Sequence, residues 1–506
     1  MDLTTVILFL VLYYLRPQEW SGTFSTIHFV QIVMLTSLGT LFFRAQSLRL
    51  ADLFRTPHDW AVFAFWAWMV AASPTPYDTF RECANLYIFY IVIVQTLQSV
   101  RRMKIFVGWW TFLIVSVALL ALASEWGFDP LESLDITNSS MKGRLMLNLS
   151  IFNNPNGLGH SVVPAIPMLY FYMVWRRPVV WRVAGLALLA IPLYCIYLTV
   201  SKGAFLCAGI TLTATMAFGR PKSVQVLIVA GALLFGVGAL FALPRMNELN
   251  KSKSDEAIQG RVAAFKHGYE LMQSLTKGVG KGNWGLENFM TDWVPVLVPP
   301  RVGPDRGKAH YILRPIHYNK APHSSYVCTG AELGKPGLFL FVAVLYCCLR
   351  TTITTKTATD DEERIRRMLF VLVISYIVSS WMVDFEYRPT FFMFTAAIAA
   401  LHRHLMGLAT APESPEEQPS VEPPIPVWLT PQVLPQPALA GLAHSNLLLA
   451  DDPHPAPADD GLDTAAGPKR TGIGWNWNRI GLFDITAALL LTWAVIRFWV
   501  YAMAQI

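Results

Sequence analysis

The chain has 506 residues, 54% of them hydrophobic, 13% aromatic and only 15% charged, with a mean hydropathy of +0.40. A typical soluble domain is roughly 25% charged, and a soluble fold of this size could not hide so much apolar surface behind so few charges. That disfavours a soluble enzyme and a disordered protein. The net charge of +6 is not a nucleic-acid footprint either, because most Lys and Arg sit in short loops between apolar runs, where they report membrane topology.

In chain order, apolar runs occupy 3–15, 27–43, 60–72, 84–97, 105–123, 159–175, 183–200, 203–218, 224–243, 333–349, 368–383, 389–405 and 480–504. The first lacks a basic flank and a small-residue cleavage site, so it reads as a retained helix. Several runs fall short of the ~20 residues that cross a bilayer and are expected to borrow flanking residues. The reading is an all-α polytopic membrane protein with about twelve spans over 1–405. A Pro-rich linker over 406–479, with thirteen prolines between Pro412 and Pro468, leads to a C-terminal membrane helix within 480–506.

With the N-terminus inside, the short inner loops hold sixteen Lys/Arg and the short outer loops six, the asymmetry of the positive-inside rule. The outer segment 244–332 departs from this, with twelve Lys/Arg against eight acids. Long loops translocate largely regardless of charge; an anionic ligand outside gives this one a reason to be basic. The plainer account is a solvated loop touching anionic lipid.

Within that segment, residues 256–275 read as an amphipathic helix with Ile258, Val262, Phe265, Tyr269 and Met272 on one face. Such a helix is expected to lie on the bilayer, holding Arg261 at headgroup depth, where a guanidinium can grip a lipid-linked phosphate through paired N–H donors. Next come Gly278, Gly280 and Gly282, a loop whose amides are expected to line an anion site or simply to turn the chain. His323 follows Pro322, at a predicted helix start near the membrane surface, and at neutral pH an imidazole can take a proton from an attacking hydroxyl. Glu332 lies about half a turn round from it and is a poor orienting partner. The Gly334/Pro336/Gly337 cluster should break that helix.

Polar groups at other span ends share the outer side: Arg16, Asn153, Asn154, Asn156, Lys202, Asp384, Glu386 and Arg388. Asp384 and Glu386 alone make a weak metal pair. The six cysteines (Cys83, Cys195, Cys207, Cys328, Cys347 and Cys348) show no metal or disulfide spacing.

The order Ser201-Lys202-Gly203, Gly260-Arg261, Gly-x-Gly-x-Gly, His323-Ser324 and Glu332-x-Gly334-x-x-Gly337 resembles the O-antigen ligase/O-antigen polymerase superfamily of bacterial membrane glycosyltransferases. The resemblance is best over 150–349. It implies a GT-C-like body in the cytoplasmic (inner) membrane with a periplasm-facing site, and a metal-independent, inverting transfer without a cofactor. The implied partners are an undecaprenyl-pyrophosphate-linked glycan donor, a lipid-core, protein or glycan acceptor, and the bilayer, with no nucleic acid. Arg261 would bind pyrophosphate and His323 would activate the acceptor. Lys202, Arg16, Arg388, Glu332 and the loop glycines are the expected substrate-binding residues. Lys202 stands where members usually carry Arg. Residues 406–506 lie outside the resemblance and are expected to be dispensable for transfer.

Two rival readings are a polymerase extending lipid-linked repeats and a polysaccharide exporter or transporter. The latter should show paired half-repeats and midplane charges, and neither is evident.

Overall fold

The computed structural model describes residues 2–20, 29–44, 53–133, 143–241, 256–298, 310–408 and 480–505. A helix occupies each apolar run. In chain order these are α1 (Asp2–Tyr14), α2 (Phe29–Arg44), α3 (Pro57–Ala72), α4 (Pro76–Thr96), α5 (Val100–Glu125), α6 (Pro155–Val174), α7 (Val179–Leu198), α8 (Lys202–Ala217) and α9 (Lys222–Phe241). After α10 (Glu256–Ser274) come α11 (Ser325–Thr354), α12 (Asp360–Ser379), α13 (Pro389–Leu405) and α14 (Leu482–Gln505). Start signals are local. Proline opens α3, α4, α6 and α13, and Thr56/Asp59 and Thr359/Glu362 form reciprocal capping boxes.

Among the described residues, five helices are long and apolar enough to cross a membrane: Val100–Glu125, Pro155–Val174, Val179–Leu198, Ser325–Thr354 and Leu482–Ala504. The chain is membrane-integral, but the expected count of about twelve spans goes beyond what helix length and composition support. Helices α2, α3 and α8 have 16 residues each, about 24 Å at ~1.5 Å per residue, short of the ~30 Å hydrocarbon core. Helix α12 opens with four acids, Asp360 to Glu363.

Helix α11 is central, packing against α3, α10, α12, α13 and α14. On the side opposite the 320s, buried Asp59 accepts from Thr56 N, Tyr90 Oη and Arg403 (2.7, 2.8 and 2.9 Å), which ties α3, α4 and α13 together.

Two expectations need correction. The chain is mostly helical but not all-α: β1 (Met290–Val298) and β2 (His310–Tyr318) pair antiparallel, Trp293 opposite Pro315. Their β-branched and aromatic content is the physical signal. In addition, the apolar face of α10 is turned into the protein. Ala264, Gly268 and Met272 are buried, and Phe265 and Tyr269 pack on the core with α11 and α14. The C-terminal helix belongs to the same compact unit as the body of the chain, and residues 411–475 lie outside the described residues. Most of the linker expected at 406–479 thus lies outside them.

Candidate functional site

Helix α11 is broken near its start. Gly334 sits at φ 67°, ψ −173°, a conformation open essentially to glycine alone. Pro336 then withdraws an N–H, so the short first segment ends with orphan carbonyls. They are capped from outside the helix: Val279 N donates to Ala331 O (3.0 Å), Gly280 N to Glu332 O (2.8 Å) and Trp68 Nε1 to Leu333 O (2.8 Å).

Of the two readings of this glycine loop, the amides of 279 and 280 follow the simple turn, since both are spent on α11. Trp284 N is also spent, on Glu332 Oε1 at 3.2 Å. Gly278 and Gly280 are needed for close approach: a Cβ on Gly278 would lie 2.5 Å from Ala331 O, and one on Gly280 2.4 Å from the Pro74 ring. Gly282 has a positive φ but open space around it. Glu332 is buried and serves this loop rather than the surface. Gly334→Ala would put a Cβ 2.2 Å from Thr276 O. It is expected to cost at least about 1–3 kcal/mol from the backbone strain alone, read as a clear fall in melting temperature of the purified protein.

Upstream of that break, Ser324 caps α11 and His323 precedes it at φ 48°, a left-handed conformation that is costly for a residue with a Cβ. The turn 380–385 is stitched to this point. Ser325 N donates to Ser380 O and Val383 O (2.7 and 3.0 Å), Ser325 Oγ to Val383 O (2.8 Å) and Phe385 N to Ser325 Oγ (2.9 Å). The stitching sets Asp384 beside His323, with Oδ2 3.7 Å from Nδ1 and both side chains about one-third exposed. Local spacing offers His323 no partner; Asp384, 61 positions away, faces it.

Burial lowers the His323 pKa to about 4, and the Arg261 charge adds to the shift. The ring is thus neutral at pH 7. Burial raises the Asp384 carboxyl; the Ser324 N–H offsets this in part, as do Arg388 and Arg261, while Glu332 adds to it. Burial, then the Asp384 charge, raises Glu386. Arg261 is exposed near the start of α10, its field reaching both His323 and Asp384. Gly260 keeps α10 against this region, since a Cβ there would lie 3.2 Å from the Lys320 stem.

The Ser-Lys-Gly turn arrives from the other flank. Ser201 caps α8 and donates to Asn156 Oδ1 (2.8 Å); Arg144 also donates to that atom (3.1 Å) and to Thr199 O (3.0 Å). Gly203 is packed against Met382 and His160: a Cβ would lie 2.7 Å from Met382 Sδ and 3.1 Å from His160 Nε2. Lys202 therefore begins its helix beside the turn that carries Asp384. His160 is buried, with Nδ1 2.9 Å from Ser379 Oγ.

Of the expected set, the fold gathers Arg261, His323, Lys202 and Arg388 around the 380–388 turn. Lys202 and the exposed Arg388 have no ion-pair partner among the described residues. Arg16 differs: it is paired with Glu19, which accepts from Ser150 N and Oγ (2.8 and 2.9 Å), so it ties the end of α1 to the 150s turn. Asn154 caps α6. Among the described residues no three His, Cys, Asp or Glu side chains come together as a metal-holding group. Sequence reasoning missed His160, Arg144 and the pairing of Asp384. His160 follows the Asn-Pro-Asn-Gly-Leu-Gly run by one residue, which was the available signal.

Residues 184–342 match the family model described as O-antigen ligase. No curated protein matches the chain. The matched segment runs from α7 through the Ser-Lys-Gly turn, α10 and His323 to the break in α11. That match supports the resemblance to the O-antigen ligase/polymerase superfamily over residues 184–342.

Proposed function

We propose that the protein moves a glycan from undecaprenyl pyrophosphate to an acceptor hydroxyl at the His323 site, on the extracytoplasmic face. The observation that carries this reading is the neutral His323 set against Asp384 within the field of Arg261. With Nδ1–H turned to Asp384, the Nε2 lone pair is free to accept the acceptor proton. The acceptor oxygen bonds to the anomeric carbon as the bond from that carbon to the pyrophosphate oxygen breaks, which inverts the configuration. Undecaprenyl pyrophosphate leaves with the electron pair. Arg261, Lys202 and Arg388 stabilise the charge that builds on it, and Asp384 steadies the imidazolium. Donor binding masks the Arg261 charge and so raises the basicity of His323 when it is needed.

The test is the product formed by purified protein from a labelled undecaprenyl-pyrophosphate glycan and a lipid-core acceptor. A glycosylated core supports the reading. Lengthened lipid-linked chains alone would mean a polymerase, and no glycan transfer at all would end the proposal.

The face is tested separately. All six cysteines are buried, so single added cysteines report cleanly. Thr291→Cys, on an exposed strand position, is expected to react with an impermeant thiol reagent in spheroplasts; Ala358→Cys, in the exposed turn before α12, is expected to react only after lysis. The reverse pattern would put the site on the cytoplasmic side.

A further inference from the structure

Helix α14 lies outside the family match, and most of its residues are exposed. Yet Trp499 on it is completely buried. The indole fills the crossing of α10 and α11. Trp499 Nε1 donates to Phe265 O at 3.1 Å, and its ring meets Tyr269 and Phe265 edge-on, at 5.8 and 6.5 Å between centroids. Two glycines make room for it. A Cβ on Gly330 would lie 3.0 Å from the indole, and one on Gly268 3.5 Å from it.

The next residue back, Phe498, packs on Trp381 (4.8 Å), which in turn packs on Tyr326 (4.5 Å). At the other end of α14, buried Asp484 pairs with Arg350 and accepts from Tyr346 Oη at 2.9 Å. One stripe of a mostly exposed helix, Asp484, Ala488, Thr492 and Trp499, is therefore held against the protein, and its Trp499 end touches both the helix that carries Arg261 and, through Phe498, the turn that carries Asp384.

We propose that α14 is a brace for the donor site, and that Trp499 is a positioning residue that sets α10, and with it Arg261, against the His323–Asp384 pair. This rests on the transferase reading above. It also replaces the expectation that residues 406–506 are dispensable.

The full-length protein tests it by a double-mutant cycle. Trp499→Ala is expected to raise the donor KM about tenfold, within the coupling seen between contacting groups, and to change kcat less. In an Arg261→Ala background the same change should add less than about twofold, because the group it positions is gone. Trp499→Phe keeps most of the ring packing and should recover most of the affinity. Leu490→Ala, on the lipid-exposed face of α14, should behave as wild type. Hydrogen exchange provides a readout independent of transfer: amides of 256–274 should lose protection in Trp499→Ala. If that variant does not accumulate, Trp499→Leu, which keeps an apolar side chain there but loses the hydrogen bond and the ring contacts, carries the same cycle. Additive effects in the double mutant, or unchanged α10 protection, would overturn the brace while wild-type transfer leaves the transferase reading intact. A wild-type protein that transfers no glycan would overturn that reading, and the brace's role in it.

Discussion

His323→Ala is expected to slow single turnover by roughly 10²–10⁴-fold, the usual cost of losing a general base, while donor affinity stays near wild type. The split follows from placement. His323 faces Asp384 on a turn fixed by four hydrogen bonds, whereas Arg261 and Lys202, expected to hold pyrophosphate, lie at the starts of α10 and α8. A companion variant separates chemistry from folding. His323 holds φ 48°, which costs a side-chain-bearing residue about 1–2 kcal/mol. Glycine relieves that strain, so His323→Gly is expected to melt no lower than wild type and yet be as slow as the alanine variant. Differential scanning fluorimetry and rapid-quench kinetics on the same preparations check both halves. Near-wild-type turnover in either variant would remove His323 as the base. Turnover is also expected to survive EDTA; loss restored by a divalent ion would reopen Asp384 and Glu386 as metal ligands.

Arg261→Ala is expected to raise the donor dissociation constant by tenfold or more, on the order of 1.4 kcal/mol or above for a lost charge-assisted contact. Arg261→Lys should recover part of this, since a point charge cannot reproduce the guanidinium fork. The variant carries a second signature in pH. Arg261 disfavours the imidazolium, and together with burial it holds His323 at about 4. Removing the charge must move that pKa upward, though not to its usual value, because burial remains. A base works only when neutral, so its rate falls as pH drops through its pKa. The acid limb of kcat/KM should therefore begin at a higher pH in Arg261→Ala than in wild type. An acid limb that stays in place, with donor affinity unchanged, would separate Arg261 from this site.

Much of the helical layout could be read locally. Each apolar run is a helix because desolvated backbone must bond within its own segment, and prolines and capping boxes mark starts without distant help. The kink in α11 was also legible, since Gly334 and Pro336 fail in a helix interior for reasons of their own backbone. The glycine loop was legible as a turn but not in its target. Only the folded chain shows Val279 and Gly280 donating to Ala331 and Glu332, because the broken helix that needs them lies some fifty residues on.

The sequence by itself determined a membrane-integral, mainly helical chain with Arg261 near the start of an amphipathic helix and His323 before a helix start, because periodicity, caps and hydropathy act over a few residues. The tertiary structure decided who meets whom. It set Asp384 beside His323, His160 against Gly203, Glu19 with Ser150, and Trp499 between Gly268 and Gly330. It also turned the apolar stripe of α10 toward α11 and α14 instead of the bilayer. An amphipathic pattern specifies that one face is desolvated, not whether lipid or protein desolvates it. That choice rests on packing: two glycines and an indole shaped to fit them are far apart in the chain and have no local signature.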